Sequence, residues 1–273
     1  MLRSPMFPQV TGKAIRRIVL NQAKRARVGH IGSALSVADI LAVLFDGSID
    51  SGANPGGDYA LRDRFVLSKG HAALALYAAL SLQGKLDAAA LDSYCGNGSH
   101  LAVHPEKELQ GVDFSAGSLG QGLSTGTGAA LAMRLKGHAG RVRVLLSDAE
   151  INEGSTWEAV MFAAHHKLDN LDVVVDLNGQ QALGMTRDVL DLSPMAQRWQ
   201  AFGWDVREAD GHDAQALRAH LNASTGEKGK PRVVLAKTRC GKGVSFMESQ
   251  IKWHYWPMSD DEYASALAEV EAA

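Results

Sequence analysis

The stretch from Val142 to Val160, VRVLLSDAEINEGSTWEAV, joins an apolar run to a helical pattern through an acidic turn. Its first residues are typical of a buried strand, and that strand ends just before Asp148. The apolar residues that follow recur at helical spacing: Trp157, Val160, Met161, Ala164 and Leu168. The stretch therefore predicts a strand, a turn rich in carboxylates and a helix.

Working outward, similar units repeat on both sides of this stretch. Four further segments have the apolar and β-branched composition of strands: Phe65 to Ser68, Leu171 to Leu177, Trp204 to Ala209 and Arg232 to Thr238. Helical patterns separate them: around Ile15 to Leu20, Ser36 to Phe45 with a capping box of Ser36 and Asp39, Leu119 to Leu135, and Asp213 to Ala223. Alternating strands and helices predict an α/β fold with a mostly parallel sheet and helices on both faces.

Composition limits the classes of function. The chain has 273 residues, 28 basic and 30 acidic, and a net charge of -2, which does not indicate a nucleic-acid or anionic-membrane surface. Cys95 and Cys240 lack the spacing of a zinc site or a disulfide framework, and we find neither a signal peptide nor a membrane span. We therefore expect one domain over residues 1–273, in the cytoplasm.

Two oxygen-bearing side chains follow neighbouring predicted strands. Asp148 comes after the strand that ends near Leu146, and Asn178 comes after Leu171 to Leu177. The carboxyl ends of parallel strands lie on one edge of the sheet, where open α/β sheets bind ligands. Carboxylate and amide oxygens suit Mg²⁺, and a following helix favours phosphate. The same residues also fit a helix cap and a turn, so spacing leaves both interpretations open.

Several long motifs occur in one order along the chain. They are GHIGSALSVADILAVLF from Gly29, DRFVLSKGHAALALYAAL from Asp63, GVDFSAGSLGQGLSTGTGAALA from Gly111 and EGSTWEAVMFAAHHKLDNLDVVVDLNGQQALG from Glu153. Together they resemble the N-terminal half of the transketolases, from about Ile15 to the KWH at Lys252 to His254. Transketolases are thiamine-diphosphate enzymes, and this half resembles their diphosphate-binding domain.

The resemblance implies roles for individual residues. The side chains of Asp148 and Asn178 and the carbonyl of Gln180 match Mg²⁺ ligands. Four histidines match active-site residues that contact cofactor and sugar: His30, His71, His104 and His254. Imidazole suits the repeated proton transfers of a ketol transfer near neutral pH, while the cofactor supplies the electron sink.

The resemblance extends to the remaining candidate residues. Gly117 and Leu119, in GSLGQG, match residues that line the cofactor site, and Ala149 lies where the diphosphate approaches. Glu153 matches a carboxylate at a subunit interface that helps to organise the proton network. We assign Glu150 only a local role at the helix entry.

The resemblance also implies a partner. Full-length transketolases have a second domain that holds the aminopyrimidine, and this chain ends at Ala273. It most resembles the N-terminal subunit of a split transketolase, which implies a C-terminal, pyrimidine-binding chain and an α2β2 assembly. The expected reaction is transfer of a two-carbon ketol unit from a ketose donor to an aldose acceptor.

Some residues depart from the family pattern. Ser147-Asp148-Ala149 replaces the usual GDG, Cys95 and Cys240 lie where relatives often have basic residues, and HYWP begins at His254 where HGK is more usual. Fewer cations near the substrate favour a less anionic one. We therefore hypothesise a specialised substrate. A related 1-deoxyxylulose-5-phosphate synthase, an acyloin-forming enzyme and a noncatalytic stabilising subunit remain alternatives.

Overall fold

A computed structural model describes residues 9–47, 62–222 and 226–273. Its strands are β1 (Arg64–Leu67), β2 (Val142–Ser147), β3 (Leu171–Leu177), β4 (Gln180–Gln181), β5 (Gly184–Met185), β6 (Asp205–Asp210) and β7 (Arg232–Lys237). Five of them form a parallel sheet in the order β1-β2-β3-β7-β6, and β4 pairs with β5 in a short antiparallel ribbon.

The helices of the described chain cover this sheet. They are α1 (Gly12–Ala26), α2 (Ile31–Ser36), α3 (Ala38–Phe45), α4 (Ala73–Leu82), α5 (Ala88–Asp92), α6 (Gly122–Leu135), α7 (Gly154–His165), α8 (Thr186–Val189), α9 (Met195–Ala201), α10 (Ala214–Leu221), α11 (Lys252–Tyr255) and α12 (Asp260–Ala272). Short 3₁₀ turns at Gly70–Ala72 and Ala149–Asn152 follow β1 and β2.

Strand β2 shows why the sheet is covered on both faces. Leu145 packs into a core with α1 to α4, whereas Val144 and Leu146 pack into a second core with α6, α7 and α9. Side chains alternate across a strand, so a strand between two helical layers is apolar at nearly every position. The predicted α/β class and the parallel sheet are confirmed, while the assignment of residues 1–273 to one domain stays a prediction.

Two local predictions are wrong. Ser36 does not cap α3: it is the last residue of α2, and its hydroxyl donates to Asp176 at 2.6 Å. Asp39 instead accepts from His212 Nδ1 at 2.8 Å and from Arg16. Both side chains thus form hydrogen bonds with residues distant in the chain, and these replace the predicted capping box. The end of the predicted helix at Ala223 lies outside the described residues, and α10 ends at Leu221.

Most of the residues predicted on one face of α7 pack against the same core. Val160 is buried, Trp157 and Ala164 are partly buried, and Leu168 is buried just beyond the helix, whereas Met161 is exposed. Helix α6 packs on β2 and α7 packs against α6, and the buried residues of α7 are Thr156, Ala159, Val160 and Ala163.

The buried carboxylate of Asp172 marks the opposite end of the sheet from Asp148. Asp172 is the second residue of β3 and is fully buried. It accepts from Arg141 Nε at 2.8 Å and from Arg232 Nε at 2.9 Å. These ion pairs connect β3 to Arg141, just before β2, and to Arg232, at the start of β7, near the amino ends of the strands.

Close packing of α6 on the sheet gives a first prediction. A Cβ atom on Gly126 would lie 2.4 Å from Val144 Cγ2, whereas one on Gly128 would meet nothing within 4 Å. Gly126→Ala should therefore lower the free energy of unfolding by about 1–3 kcal/mol through overpacking. Gly128→Ala, on the exposed side of the same helix, should raise it by about 0.5–1 kcal/mol. Urea unfolding of both variants is the measurement, and equal effects would contradict this packing.

Candidate functional site

Asp148 lies at the carboxyl end of β2 and connects this strand to the turn after β3. It is 3% exposed. Its backbone N–H donates to the carbonyl of Asp176 at 3.2 Å, which extends the β2–β3 register by one residue. Its carboxylate accepts from the N–H of Gly179 at 2.7 Å and from Thr186 Oγ1 at 3.1 Å. The structure thus brings Asp148 onto the turn that contains Asn178.

The turn after β3 holds the other predicted metal ligands. Asn178 Oδ1 accepts from the N–H of Gln180 at 2.9 Å, and Asn178 Nδ2 donates to Asp176 Oδ2 at 2.9 Å. Gly179 has a φ of 75°, a conformation that glycine adopts without steric cost. The Asn-Gly pair is therefore a turn, as one interpretation expected, and the same turn carries Asn178 and Gln180 to Asp148.

A buried ion pair lies behind this turn. Lys69 Nζ pairs with Asp176 Oδ2, and both side chains are 0% exposed. Asp176 also accepts from the hydroxyl groups of Ser36 and Thr238. The pair joins residues from the ends of β1, β3 and β7, and we did not predict it from the sequence.

The surroundings of Asp148 fit a divalent cation. Burial and the negative charge of Asp176 raise the pKa of Asp148 to about 6, while nearby Lys69 offsets this only partly. Gln180 Oε1 and Gln181 Nε2 are buried without a hydrogen-bond partner within the described residues. A buried carboxylate that lacks a full counter-charge, with an unpaired amide oxygen on Gln180 after the adjoining turn, suits a hard metal ion with oxygen ligands.

Ala149 causes no backbone strain at the position where the resemblance implied a glycine. It begins the 3₁₀ turn that follows β2, and it does not belong to the residues with positive φ. Its N–H donates to Asp148 Oδ1 at 2.9 Å. The departure from glycine therefore adds a methyl group without a forbidden conformation.

Three of the predicted histidines form a cluster. The ring centroids of His30 and His71 are 5.5 Å apart, those of His30 and His254 are 5.3 Å apart, and those of His71 and His254 are 5.6 Å apart. We refer to His30, His71 and His254 as the histidine cluster. They come from the start of α2, the turn after β1 and α11, so only the fold brings them together.

The backbone segments that carry His30 and His254 are in direct contact. His30 has a φ of 59°, and its N–H donates to the carbonyl of His254 at 3.3 Å. A Cβ atom on the preceding Gly29 would lie 2.3 Å from the carbonyl oxygen of Tyr255, so this approach requires glycine. His71 Nε2 and Ser33 Oγ are 3.1 Å apart, and His30 Nδ1 is buried without a partner among the described residues.

The cluster favours neutral imidazoles. Burial, together with the nearby His30 and Lys69, lowers the pKa of His254 to about 4. Burial and Lys69 also hold the pKa of His71 well below its usual range, and burial and His104 lower that of His30. Neutral imidazole can accept and return protons, which is the property that acid–base chemistry requires.

These lowered pKa values predict how stability depends on pH. The folded chain holds His254 neutral down to about pH 4, whereas the unfolded chain protonates it near 6.5. Between these values the unfolded chain binds more protons, so stability falls as the pH falls through that window. His254→Gln should flatten this dependence in urea unfolding. His100→Gln, at an exposed position outside the cluster, is the control, and an unchanged slope for His254→Gln would refute the prediction.

His104 lies beside the glycine loop, residues 117–121, and close enough to the cluster for its charge to lower the pKa of His30 and His71. A Cβ atom on Gly117 would lie 3.7 Å from the His104 ring. Both residues line an open cleft of about 430 Å³ with Ser118, Gln121 and Thr125. Gly117 is exposed, and Leu119 is half-buried in the same loop. The structure therefore places His104 beside Gly117 shortly before α6, with Leu119 two residues further along the same loop.

The two glutamates after Asp148 have opposite surroundings. Glu153 is the exposed N-terminal cap of α7, as an interface residue requires. Glu150 is fully buried and accepts hydrogen bonds from Ser68 and from the N–H of Gly120. The predicted local role at the helix entry is incomplete: the carbonyl of Glu150 accepts from Thr156 Oγ1 at 3.1 Å there, but its carboxylate also contacts Ser68, after β1, and the glycine loop.

The two cysteines differ in burial. Cys240 is buried, and a Cβ atom on Gly32 would lie 2.6 Å from its sulfur. Burial raises the pKa of its thiol to about 12, so it adds no charge near α2. Cys95 is half-buried beside Tyr94, and burial raises its pKa too.

Lys69, Asp148 and Asn178 follow the carboxyl ends of β1, β2 and β3 within two residues. Open parallel sheets bind ligands at this edge. The protein is thus an α/β protein of the open-sheet class, with its candidate site at the edge where such sheets bind ligands. Residues 9–270 match the family described as "Transketolase, thiamine diphosphate binding domain". The chain therefore belongs to the transketolase family, as its motifs predicted.

Two similar relatives are transketolase subunits of about the same length. The chain is 37% identical over 266 residues to the 6-deoxy-6-sulfo-D-fructose transketolase subunit SqwG of Clostridium sp. (strain MSTE9), covering 96% of each chain. It is 38% identical over 265 residues to one of the subunits of the apulose-4-phosphate transketolase of Actinobacillus succinogenes, covering 95% of this chain and 94% of the relative.

The fold matches that of larger solved transketolases. The structure of transketolase from Campylobacter jejuni superimposes with a TM-score of 0.88 and 29% identity. The match covers 96% of this chain and 42% of that one. The chain thus spans less than half of these larger relatives. Among the described residues, no helix is both long and apolar enough to cross a membrane.

Proposed function

We propose that this chain is the diphosphate- and Mg²⁺-binding subunit of a two-chain, thiamine-diphosphate-dependent enzyme that transfers a two-carbon ketol unit from a ketose to an aldose. The observation that supports it best is the hydrogen bond from Gly179 to Asp148 at 2.7 Å, which unites the turns after β2 and β3. Family membership supports the cofactor, and the two relatives named as subunits support the division into two chains.

The metal and diphosphate would be held at the joined turns. The Asp148 carboxylate, the Asn178 side chain and the Gln180 carbonyl are the proposed Mg²⁺ ligands, and a hard cation suits these oxygens. Ala149 would approach the diphosphate through a backbone free of strain. Gly117 and Leu119 would line the other side of the cofactor from the start of α6.

The histidines would bind the sugar and move protons. His30, His71 and His254 converge in one cluster, and their lowered pKa values keep the rings available as bases. His104 would contact the cofactor from the neighbouring cleft. When bound, thiamine diphosphate supplies the electron sink that a carbon–carbon transfer needs.

Glu153 would act at the boundary with the second chain. It is exposed at the start of α7, so a partner carboxylate or cofactor group can reach it. The partner that we propose is a C-terminal, pyrimidine-binding transketolase subunit, in an α2β2 assembly with sites between chains.

The binding part of the proposal is tested by calorimetry. Thiamine diphosphate and Mg²⁺ are titrated into the chain alone and into the chain with its partner subunit, with each ligand omitted in turn. We expect saturable heat that requires both ligands. No heat with or without the partner would overturn the proposal and favour a noncatalytic stabilising subunit.

We also propose that the donor is a specialised ketose and not xylulose 5-phosphate. Cys240 is buried, which raises the pKa of its thiol, and Tyr255 and Trp256 are exposed directly after His254, at positions where the resemblance implied basic residues or HGK. The reconstituted pair should turn over xylulose 5-phosphate and ribose 5-phosphate slowly. Turnover at ordinary transketolase rates would contradict this specialisation, but not the cofactor proposal.

A further inference from the structure

We propose that Glu150 is a positioning residue that holds the glycine loop, residues 117–121, against the turn that carries Asp148. The two sides of the candidate diphosphate site would then be fixed relative to each other before any ligand binds. This inference rests on the proposed function for its consequence, but the contact itself can be tested on the chain alone.

The first observation is where the Glu150 carboxylate lies. Glu150 is 0% exposed. Oε1 accepts from the N–H of Gly120 at 2.8 Å and from the hydroxyl of Ser68, the residue after β1. Oε2 faces the N–H of Ser147 at 3.4 Å. One carboxylate thus connects β1, the end of β2 and the glycine loop.

The second observation is that Gly120 is held on both sides. Its N–H donates to Glu150, and its carbonyl accepts from Ser155 Oγ at 2.8 Å. Its φ is 82°, and a Cβ atom there would lie 2.6 Å from Cβ of Glu153. Glu150 and Ser155 lie on either side of Glu153, so the loop is clamped to the segment that also carries Asp148.

The third observation is that Glu150 is buried although burying a carboxylate lowers the stability of the fold. Within the described ranges, no basic side chain lies within ion-pair distance of Glu150, its polar contacts are N–H and hydroxyl groups, and these contacts and the charge of Lys69 only partly offset the burial that raises its pKa. A buried acid without an ion pair is costly to stability, and an apolar residue would avoid that cost. Glu150 offers instead three converging hydrogen bonds that define the position of the loop.

A residue that does not touch the ligand can still affect its affinity, because it orients the groups that do touch it. Removing such a partner typically weakens binding about 10–100-fold in metal sites. Here the group that Glu150 orients is Gly120, three residues after Gly117 and next to Leu119. Losing the contact should loosen the loop and weaken the binding of thiamine diphosphate without removing a direct ligand.

The test compares Glu150→Ala, Glu150→Gln and the parent in two measurements. Hydrogen exchange of the full chain without cofactor follows the peptide that contains residues 117–121. Calorimetry with Mg²⁺ and thiamine diphosphate follows affinity. Glu150→Ala should speed exchange in this peptide and weaken binding about tenfold or more. Glu150→Gln keeps an acceptor oxygen for Gly120, so it should restore most of both properties.

Asp172→Asn is the matched control, because it changes another buried carboxylate at the opposite end of the sheet. It should lower stability without selectively exposing the glycine loop. Unchanged exchange and affinity in Glu150→Ala would overturn the positioning role, as would equal loop exposure in Asp172→Asn. If the parent binds no thiamine diphosphate, the proposed function fails, and the exchange measurement still decides whether Glu150 holds the loop.

Discussion

Replacing Asp148 with alanine is expected to abolish Mg²⁺-dependent binding of thiamine diphosphate. The carboxylate is the only charged group among the three proposed ligands, and a divalent cation depends on that charge. Its burial beside Asp176 already raises its pKa to about 6, so the metal would supply the counter-charge that the folded chain lacks. Calorimetric titration of both ligands is the measurement, and the heat seen with the parent should disappear.

Two further variants separate ligand loss from misfolding. Asp148→Asn keeps an acceptor for the N–H of Gly179 and removes only the charge, so it should fold like the parent and still bind poorly. Glu158→Gln changes an exposed acid on α7 and should leave binding intact. If Asp148→Ala retained the affinity of the parent, Asp148 could not be the principal metal ligand.

Replacing Lys69 with methionine is expected to lower the free energy of unfolding by about 3–5 kcal/mol, because it leaves the buried charge of Asp176 uncompensated. Both side chains are 0% exposed, so water cannot replace the lost partner. The hydroxyl groups of Ser36 and Thr238 still donate to Asp176, but neither carries charge. Urea unfolding of the chain without cofactor measures the loss.

A double-variant cycle tests whether the two charges are coupled. Asp176→Asn in the Lys69→Met background removes the unpaired charge and should recover part of the lost stability, since contacting pairs are not additive. Lys242→Met, at a half-buried lysine outside this pair, is the control and should change stability little. Additive losses for Lys69→Met and Asp176→Asn would show that the ion pair is not the source of the effect.

The strands were predictable because their signals are local. The segment Leu171 to Leu177 was predicted with its bounds, and the other four strands of the parallel sheet lie within one residue of their predicted segments, whereas the short ribbon of β4 and β5 was not predicted. Burial between two helical layers makes these residues apolar at nearly every position. The capping box failed for the opposite reason, because Asp39 has tertiary partners, Arg16 and His212, that its sequence neighbourhood does not show.

The candidate metal site was partly predictable for a geometric reason. Asp148 and Asn178 follow adjacent parallel strands, and such strands end at one edge of the sheet. The grouping of His30, His71 and His254 could not be derived from their positions in the chain, and only the resemblance suggested it. Their ring distances follow from the way α2 and α11 pack together.

Glu150 shows where reasoning from the sequence ended. Its neighbours suggested a helix entry, but its carboxylate contacts residues 82 and 30 positions away, Ser68 and Gly120. A clue was available in Gly120, since a glycine before a helix can mark close approach. Spacing alone did not identify which side chain approaches it.

Periodicity and composition in this chain were sufficient for the α/β class, the parallel sheet and the edge at which Asp148 and Asn178 lie. These properties depend on which faces are apolar, and that information is repeated along each strand and helix. Tertiary structure alone decided that Glu150 is buried, that Lys69 pairs with Asp176 and that Ala149 is free of strain. Hydrogen bonds and ion pairs depend on positions within a few ångströms, and those positions arise only when distant segments pack together.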